Sequence, residues 1–202
     1  ASVGDHVLSG AVMDPRGLRE LMPDFVEQGC PGIECTDDEL WILTGAGRFK
    51  APLLPPMLRN HGNRIVSINR LVRWMHEKVE ALGVQVFPSF PASDLLIEGD
   101  GVAGVRTGDK GVDKHGQPKS NFEPGMDVRA KVTILAEGSR GSLTKKLVKR
   151  FQLDAGKNPQ VYATGVKEVW RVKGADAMKG RVIHTMGYPL DRKSFGGGFI
   201  YF

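Results

Sequence analysis

Residues 129–141 (RAKVTILAEGSRG) decide the fold class, because an apolar strand pattern runs there into a turn that carries two glycines. Apolar residues then recur at the spacing of one helix face, at Leu143, Leu147, Val148 and Phe151. The apolar end of the strand predicts a position buried between helices. A strand that passes through a tight turn into a helix indicates a layered α/β domain.

The same architecture is predicted upstream, over residues 67–87. A helix begins at Ser67 and ends at Gly83, and residues 84–87 alternate as a strand. The face predicted to be buried consists of Ile68, Leu71, Val72, Met75, Val79 and Leu82. This helix and strand are a further step of the predicted α/β domain.

Antiparallel strands are predicted on both sides of the strand-turn-helix unit. Residues 94–97 and 102–106 form a predicted hairpin, and residues 108–125 a surface loop with short strands. Beyond the helix, strand patterns lie at residues 161–172, 181–186 and 197–202. These last segments predict an antiparallel sheet, so the architecture changes near residues 151–159.

A short amphipathic helix is predicted near the start of the chain, with Asp14 as its cap and Pro15 at its first position. One face carries Leu18, Leu21, Met22 and Phe25. Such a face packs against a core or dips into a membrane surface, and the pattern alone leaves both interpretations open. Residues 36–62 are turn-rich, and the proline-dense part, residues 51–58, predicts an exposed apolar loop.

The turn after residue 135 has the features that an anionic cofactor needs. Gly138 and Gly141 allow backbone N–H groups to approach a ligand, and the helix N-terminus carries partial positive charge. Arg140 would add a charge-assisted hydrogen bond. The alternative is an ordinary α/β turn. Glu137 is predicted to make a structural or ribityl contact rather than to act as an acid.

A glycine run near the C-terminal end, residues 194–201 (SFGGGFIY), leaves bare main chain beside aromatic side chains. A flat ring fits against such a surface, although glycines also allow another strand to come close. Taken with the phosphate-accepting turn, this run suggests a flavin enzyme that handles a quinone.

Charge and composition exclude several classes. The net charge of +5 comes from 28 basic residues scattered among 23 acidic ones, so no continuous basic stripe predicts nucleic-acid binding. No run of apolar residues is long enough for a spanning helix, and no secretory signal opens the chain. The first residue is not Met, which indicates an internal piece of a longer protein.

Residue types suited to other chemistry are present without the required spacing. The 5 histidines show no metal-ligand pattern, and no Gly-x-Ser-x-Gly nucleophile elbow occurs, so neither a metal site nor hydrolysis is predicted. The two cysteines, Cys30 and Cys35, are interpreted as reduced thiols in a loop, with a local disulfide as the alternative. Two cysteines are too few to hold an iron-sulfur cluster.

Six segments, taken in order, resemble the electron transfer flavoprotein-ubiquinone oxidoreductase family. They are residues 4–11 (GDHVLSGA), 60–67 (NHGNRIVS), 122–126 (FEPGM), 130–141 (AKVTILAEGSRG), 165–170 (GVKEVW) and 184–191 (HTMGYPLD). The resemblance covers nearly the whole chain. It corresponds to the middle-front portion of such an enzyme, and the family's opening Gly-x-Gly-x-x-Gly unit is absent.

The resemblance implies a monotopic membrane flavoenzyme of the glutathione-reductase-like FAD superfamily. FAD and a 4Fe-4S cluster would pass electrons from reduced electron transfer flavoprotein to ubiquinone, with the cluster's ligands outside this chain and no side chain here acting as a catalytic acid or base. Implied FAD contacts are Ser9, Gly10, Ser67, the backbone of Ala92, Glu137 and Gly138. Gly196 and Gly197 are implied as the quinone floor, and Leu18, Leu21, Met22 and Phe25 as membrane contacts.

The implied fold is α/β (α+β), in which a partial FAD-binding domain precedes the antiparallel sheet of a quinone-binding domain. Residues 1–62 would face membrane and quinone, residues 63–152 would belong to the FAD-binding domain, and residues 153–202 would begin the ubiquinone-binding sheet. The predicted location is the bacterial cytoplasmic membrane or the mitochondrial inner membrane. Alternatives are a flavin-dependent isoprenoid reductase or aromatic hydroxylase of similar fold, and a non-catalytic interaction fragment.

Overall fold

The structure is a computed structural model that describes residues 2–7, 10–191 and 193–202. The chain forms two compact units, Ala1–Val86 with Val166–Phe202 and, between them in sequence, Phe87–Gly165. The strands are β1 (Ala11–Met13), β2 (Ile33–Glu34), β3 (Asp37–Thr44), β4 (Gly47–Lys50), β5 (Arg64–Val66), β6 (Ala92–Glu98), β7 (Gly101–Thr107), β8 (Lys110–Val112), β9 (Pro118–Glu123), β10 (Asp127–Arg129), β11 (Arg181–Gly187) and β12 (Gly198–Tyr201). The α-helices are α1 (Arg16–Leu21), α2 (Ile68–Ala81) and α3 (Ser142–Phe151).

The first unit contains a three-stranded antiparallel sheet and a four-stranded mixed sheet. Their strand orders are β1-β5-β2 and β12-β11-β3-β4. In the larger sheet β11 runs parallel to β3 and antiparallel to β12. Val182 and Ile183 of β11 are fully buried, and this strand lies in the interior of the sheet between β12 and β3.

The helices of the first unit share one apolar cluster. Phe25, Cys30 and Trp74 are its buried members, and Leu18, Met22 and Leu71 pack against them. The indole Nε1 of Trp74 donates a hydrogen bond of 3.0 Å to the carbonyl of Gln28. The loop after α1 is thereby held against α2.

The second unit is built from hairpins and one helix. Its strands form a β10-β7-β6 sheet and a separate β8-β9 hairpin, all antiparallel. Helix α3 inserts Leu143 as its buried residue. Among the described residues, no helix has both the length and the apolar character that crossing a membrane requires.

The predicted mixed fold class is confirmed, since few helices accompany mostly antiparallel sheets. The predicted helices α2 and α3 and the predicted β6-β7 hairpin are all present. Each of these elements depends on contacts between residues near one another in sequence, and such contacts produce a regular spacing of apolar residues.

Three predicted strands are wrong. Residues 84–87, 130–135 and 161–172 are irregular, and the apolar side chains of Val132 and Ile134 are exposed rather than buried between helices. A strand needs a hydrogen-bonded neighbour, and no described strand pairs with these segments. Their alternating apolar residues favour a strand, but a strand forms only where another strand lies beside the segment and pairs with it.

The turn-rich interpretation of residues 36–62 missed a hairpin. Strands β3 and β4 pair antiparallel there, and Gly45 and Ala46 form the turn between them. The proline-dense part that follows does form the predicted exposed apolar loop, with Leu53 and Met57 exposed.

Candidate functional site

A cleft of about 1110 Å³ opens in the first unit and brings together two of the predicted cofactor contacts. Gly10 and Ser67 both line it, although they are far apart in sequence. Gly10 lies just before β1 and has a φ of +83°, a conformation that glycine adopts without strain. Ser9, the residue predicted beside it, lies outside the described residues.

One wall of the cleft is a stacked aromatic pair on β12. The rings of Phe199 and Tyr201 are 4.9 Å apart and within 6° of parallel. Lys167 Nζ lies 5.3 Å from the first ring centroid and 5.7 Å from the second, and it donates a hydrogen bond to the carbonyl of Gly10. Burial raises the pKa of Tyr201. This wall offers a neutral aromatic surface with one cation fixed above it.

The cleft lining also contains a second aromatic ring paired with a second cation. The guanidinium of Arg48 lies 4.0 Å from the ring centroid of Trp41, and both residues line the cleft. Trp41 Nε1 donates to the buried Glu39 carboxylate at 2.6 Å, and Lys50 pairs with the same carboxylate at 3.1 Å. Burial opposes ionisation of Glu39, but these two partners outweigh it and lower its pKa. The carboxylate therefore stays charged and fixes the indole.

The charge on the cleft lining favours an anion. Arg48, Arg70 and Lys167 line it together with a single carboxylate, Glu168. Aromatic planes combined with an excess of cations suit a ligand that has a flat conjugated ring and a negatively charged group.

The other predicted cofactor contacts lie in the second unit. Ala92 is exposed at the start of β6, and Gly138 has a φ of +76° with open space around it. Glu137 is bound to the N-terminus of α3, where its carboxylate accepts hydrogen bonds from the backbone N–H of Leu143 at 3.2 Å and of Thr144 at 2.8 Å. It also accepts from the Thr144 hydroxyl at 2.9 Å.

This capping bears on the two interpretations of the turn, a phosphate site and an ordinary α/β turn, that the sequence left open. The Glu137 carboxylate accepts from two of the N–H groups at the helix N-terminus, which are groups that a phosphate would also use. The hydrogen bond from the backbone N–H of Thr144 is the main reason why the pKa of Glu137 is lowered. Glu137 is thus a structural cap here, which is one of the two roles predicted for it.

We expect Glu137→Gln to loosen the first turn of α3, because a neutral amide accepts weaker hydrogen bonds than a carboxylate and lacks its favourable interaction with the helix dipole. A folded-state pKa below the ordinary Glu value means that the stabilisation is present above that value and is lost as the pH falls through the lowered pKa. Amide hydrogen exchange at Leu143 and Thr144 should therefore accelerate in the variant at neutral pH, and in the unsubstituted protein only on acidification. Glu123→Gln, on the exposed strand β9, is the matched control. Unchanged exchange in Glu137→Gln would contradict the capping role.

The two glycines predicted as the quinone floor lie immediately before β12. A Cβ added at Gly197 would lie 2.5 Å from the carbonyl oxygen of Thr185, and one added at Gly196 would lie 2.8 Å from Cδ1 of Leu190. Gly197 is therefore required by the close approach of β11. Gly196 meets only the end of a flexible side chain.

The β11-β12 hairpin carries a concentration of exposed apolar side chains around these glycines. They are Met186, Tyr188, Leu190, Phe195, Phe199 and Ile200. An exposed apolar cluster of this kind marks a surface that contacts another apolar molecule.

The four predicted membrane contacts separate into two groups. Phe25 is only 2% exposed, and Leu18 and Met22 pack against it in the core cluster. Leu21 is 85% exposed. The structure therefore corrects the prediction for Phe25, whose ring is covered by the helices of its own unit. The core-packing alternative describes Leu18, Met22 and Phe25, and Leu21 keeps the exposure that a membrane contact needs.

Both cysteines are buried free thiols, as the interpretation from spacing predicted. Burial and the neighbouring Asp38 carboxylate raise the pKa of Cys35 to about 11, so its unreactive thiol form dominates. Within the part of the chain that the structure describes, no group of three or more His, Cys, Asp or Glu side chains is placed to hold a metal ion.

Comparison with protein-family models finds a match over the C-terminal segment that contains the hairpin. Residues 162–202 match the protein-family model described as ETF-QO, ubiquinone-binding. The matched range contains Lys167, the glycine run and both strands of the hairpin. It includes Phe199 and Tyr201 of the aromatic wall.

The whole chain is similar to a set of curated proteins that share one name. The chain is 48% identical over 204 residues to the mitochondrial electron transfer flavoprotein-ubiquinone oxidoreductase of Bos taurus and 47% identical over 204 residues to that of Homo sapiens. The Dictyostelium discoideum protein of the same name is 46% identical over 203 residues. Each alignment covers 100% of this chain and 33% of the relative, so the chain spans about a third of the length of the curated relatives it matches. The resemblance predicted from the sequence is confirmed over the whole chain.

Proposed function

We propose that this chain is part of a membrane-associated flavoprotein that passes electrons from reduced electron transfer flavoprotein to ubiquinone. The observation that carries the proposal is the match of residues 162–202 to a ubiquinone-binding family model, over a hairpin whose apolar side chains lie exposed around bare glycine backbone. The names of the relatives supply both partners, the electron donor and the quinone.

The cleft beside Gly10 and Ser67 fits part of an FAD molecule. Lys167, Arg48 and Arg70 provide cations for a phosphate, and Phe199, Tyr201 and Trp41 provide aromatic planes for a conjugated ring. FAD, when bound, supplies the two-electron chemistry. The chain's own residues would position it and exclude water. Ser9, Ala92, Glu137 and Gly138 remain proposed contacts from the family resemblance, and Glu137 would act mainly by holding the start of α3.

A 4Fe-4S cluster does not fit the residues of this chain. Cys30 and Cys35 are its only cysteines, and both are buried thiols, whereas such a cluster requires about four thiolates. If the longer protein carries the cluster, its ligands belong to other parts of that protein.

Gly196 and Gly197 are the proposed floor of the quinone site. The isoprenoid tail of a quinone is apolar, and the exposed side chains of the β11-β12 hairpin would cover it. The proposed location is the surface of the mitochondrial inner membrane, which the mitochondrial names of the relatives favour, with Leu21 as a contact to the bilayer.

The full-length parent protein, purified in detergent, provides the test. Addition of reduced electron transfer flavoprotein and a short-tail ubiquinone should produce ubiquinol and bleach the flavin absorbance transiently. Oxidised electron transfer flavoprotein should produce neither change. A flavin-loaded protein that accepts electrons but reduces no quinone would contradict the proposal and favour the reductase or hydroxylase alternative.

A further inference from the structure

A partly buried polar network joins three segments of the first unit. The side-chain nitrogen of Asn60 lies 2.8 Å from Asp38 Oδ1, 2.9 Å from the carbonyl oxygen of Leu58 and 3.1 Å from His184 Nε2. The backbone N–H of Asn60 also donates to Asp38 Oδ2 at 2.7 Å. Asn60 is therefore clamped by one carboxylate at two points, and its amide faces the imidazole.

The acceptors around Asn60 determine which way its amide points. If the amide were reversed, its oxygen would face the Asp38 carboxylate and the Leu58 carbonyl, two acceptors with no proton to offer. The NH₂ group must therefore point towards them, and the same nitrogen contacts the imidazole.

This orientation determines the tautomer of His184. An NH₂ nitrogen donates and does not accept, and its two protons serve three acceptors, so His184 Nε2 shares one of those protons and can do so only while it is itself unprotonated. The ring proton of the neutral imidazole then lies on Nδ1. Nδ1 makes no hydrogen bond among the described residues and is not fully buried, which leaves an N–H donor accessible to a ligand.

His184 lies on the strand that pairs with the proposed quinone floor. His184 is opposite Phe199 in the β11-β12 pairing, and Thr185, the next residue, is the one whose carbonyl Gly197 approaches. Residues directly opposite each other on an antiparallel pair have side chains on the same face of the sheet. His184 therefore shares its face with an exposed aromatic ring.

Building on the proposed function, we infer that His184 is a catalytic residue that donates a hydrogen bond from Nδ1 to a carbonyl oxygen of the quinone head group. Asn60 and Asp38 are positioning residues that fix the tautomer. Electrons that arrive on a quinone place negative charge on its oxygens, and a hydrogen bond to a charged acceptor is roughly twice as strong as one to a neutral acceptor. The donor thus favours the reduced forms of the quinone over the oxidised form.

Two amide replacements of His184 separate the roles of its nitrogens. The amide nitrogen of Asn lies close to the position of Nδ1, whereas that of the longer Gln lies close to Nε2. His184→Asn therefore keeps the donor towards the quinone, and His184→Gln places its amide at Asn60 and removes that donor. The matched control is His115→Gln, in the turn of the β8-β9 hairpin in the second unit.

In the full-length flavin-loaded protein, His184→Gln should weaken binding of a short-tail ubiquinone about tenfold, which corresponds to about 1.4 kcal/mol. Its kcat for quinone reduction should fall roughly 100-fold, as for the loss of one oriented donor at a developing oxyanion. His184→Asn should bind the quinone within about threefold of the unsubstituted protein and keep most of the kcat, since one oriented donor remains. Flavin content and reduction by electron transfer flavoprotein should be unchanged in both variants.

A measurement without turnover tests the tautomer directly. Nitrogen chemical shifts of isotope-labelled histidine should show His184 protonated on Nδ1, and Asn60→Leu should abolish this preference. Protonation on Nε2 would overturn the inference, as would equal quinone affinity in His184→Gln, His184→Asn and His115→Gln. If the unsubstituted protein neither binds nor reduces quinone, the proposed function fails and this inference fails with it. If it reduces quinone while His184→Gln matches the control, only this inference fails.

Discussion

Gly196→Val in the full-length protein should lower the rate of quinone reduction by about 10- to 100-fold while the flavin content stays within experimental error of the unsubstituted protein. The added side chain would project from the proposed quinone floor, where its Cβ alone lies 2.8 Å from Leu190 Cδ1. A displacement of the reacting group by about 1 Å costs up to roughly 100-fold in rate. The end of the Leu190 side chain can move, so the strand pairing of the hairpin should survive.

Valine substitutions at two further glycines separate an effect on the quinone site from an effect on folding. At Gly197 an added Cβ would lie 2.5 Å from the Thr185 carbonyl oxygen, and main chain in a paired strand cannot yield as a side chain does. Gly197→Val should therefore lower the melting temperature as well as the activity. Gly165→Val is the neutral control, because nothing lies within 4 Å of a Cβ there. Quinone reduction and bound flavin are measured on the same preparations. If Gly196→Val loses both to the same extent, its effect is on folding and Gly196 is not part of a quinone floor.

The sequence predicted those elements whose stability depends on near neighbours in the chain. Helix α2 repeats its apolar face every three to four residues, and α3 does the same over a shorter length. The β6-β7 strands are joined by a two-residue turn, so their pairing is also local. In contrast, β3 and β11 are far apart in sequence and pair in parallel, and no pattern within either strand identifies the other.

Individual residues of the candidate site could be predicted from the sequence, but their positions relative to one another could not. Gly10 and Ser67 were predicted from the family resemblance, and the structure places both on one cleft. Lys167, which connects Gly10 to the aromatic pair, was not predicted, because a lone lysine in an apolar segment has no distinguishing spacing. Asn60 and His184 are separated by 124 positions, and only folding brings them into contact. The short motif around each residue was visible in the sequence, but the hydrogen bond between them was not.

The position of Phe25 also shows why a helical face alone did not decide between core and membrane. The face containing Leu18, Met22 and Phe25 has the same periodicity whether it packs on Trp74 or on lipid. Whether such a face is buried in the core depends on which surface it packs against. Here it packs against Trp74 and Leu71 of α2. Leu21 is a leucine like Leu18, but its side chain is exposed and does not pack against this cluster.

Phe25→Ala should lower the free energy of unfolding of the first unit by about 3–5 kcal/mol, because a buried aromatic ring is removed and leaves a cavity against Trp74. Leu21→Ala should change that free energy by less than about 0.5 kcal/mol, as expected for an exposed side chain.

Membrane binding should depend on the other residue of the pair. The measurement uses vesicles of phosphatidylcholine with a minor fraction of phosphatidylglycerol. Leu21→Ala would bind more weakly, and Phe25→Ala would bind as the unsubstituted protein does at temperatures where it remains folded. Thermal unfolding and vesicle co-sedimentation of the full-length protein measure the two effects separately. A Phe25→Ala variant that keeps its stability and loses vesicle binding would restore Phe25 as a bilayer contact, and the packing of α1 against α2 would then differ in the parent protein.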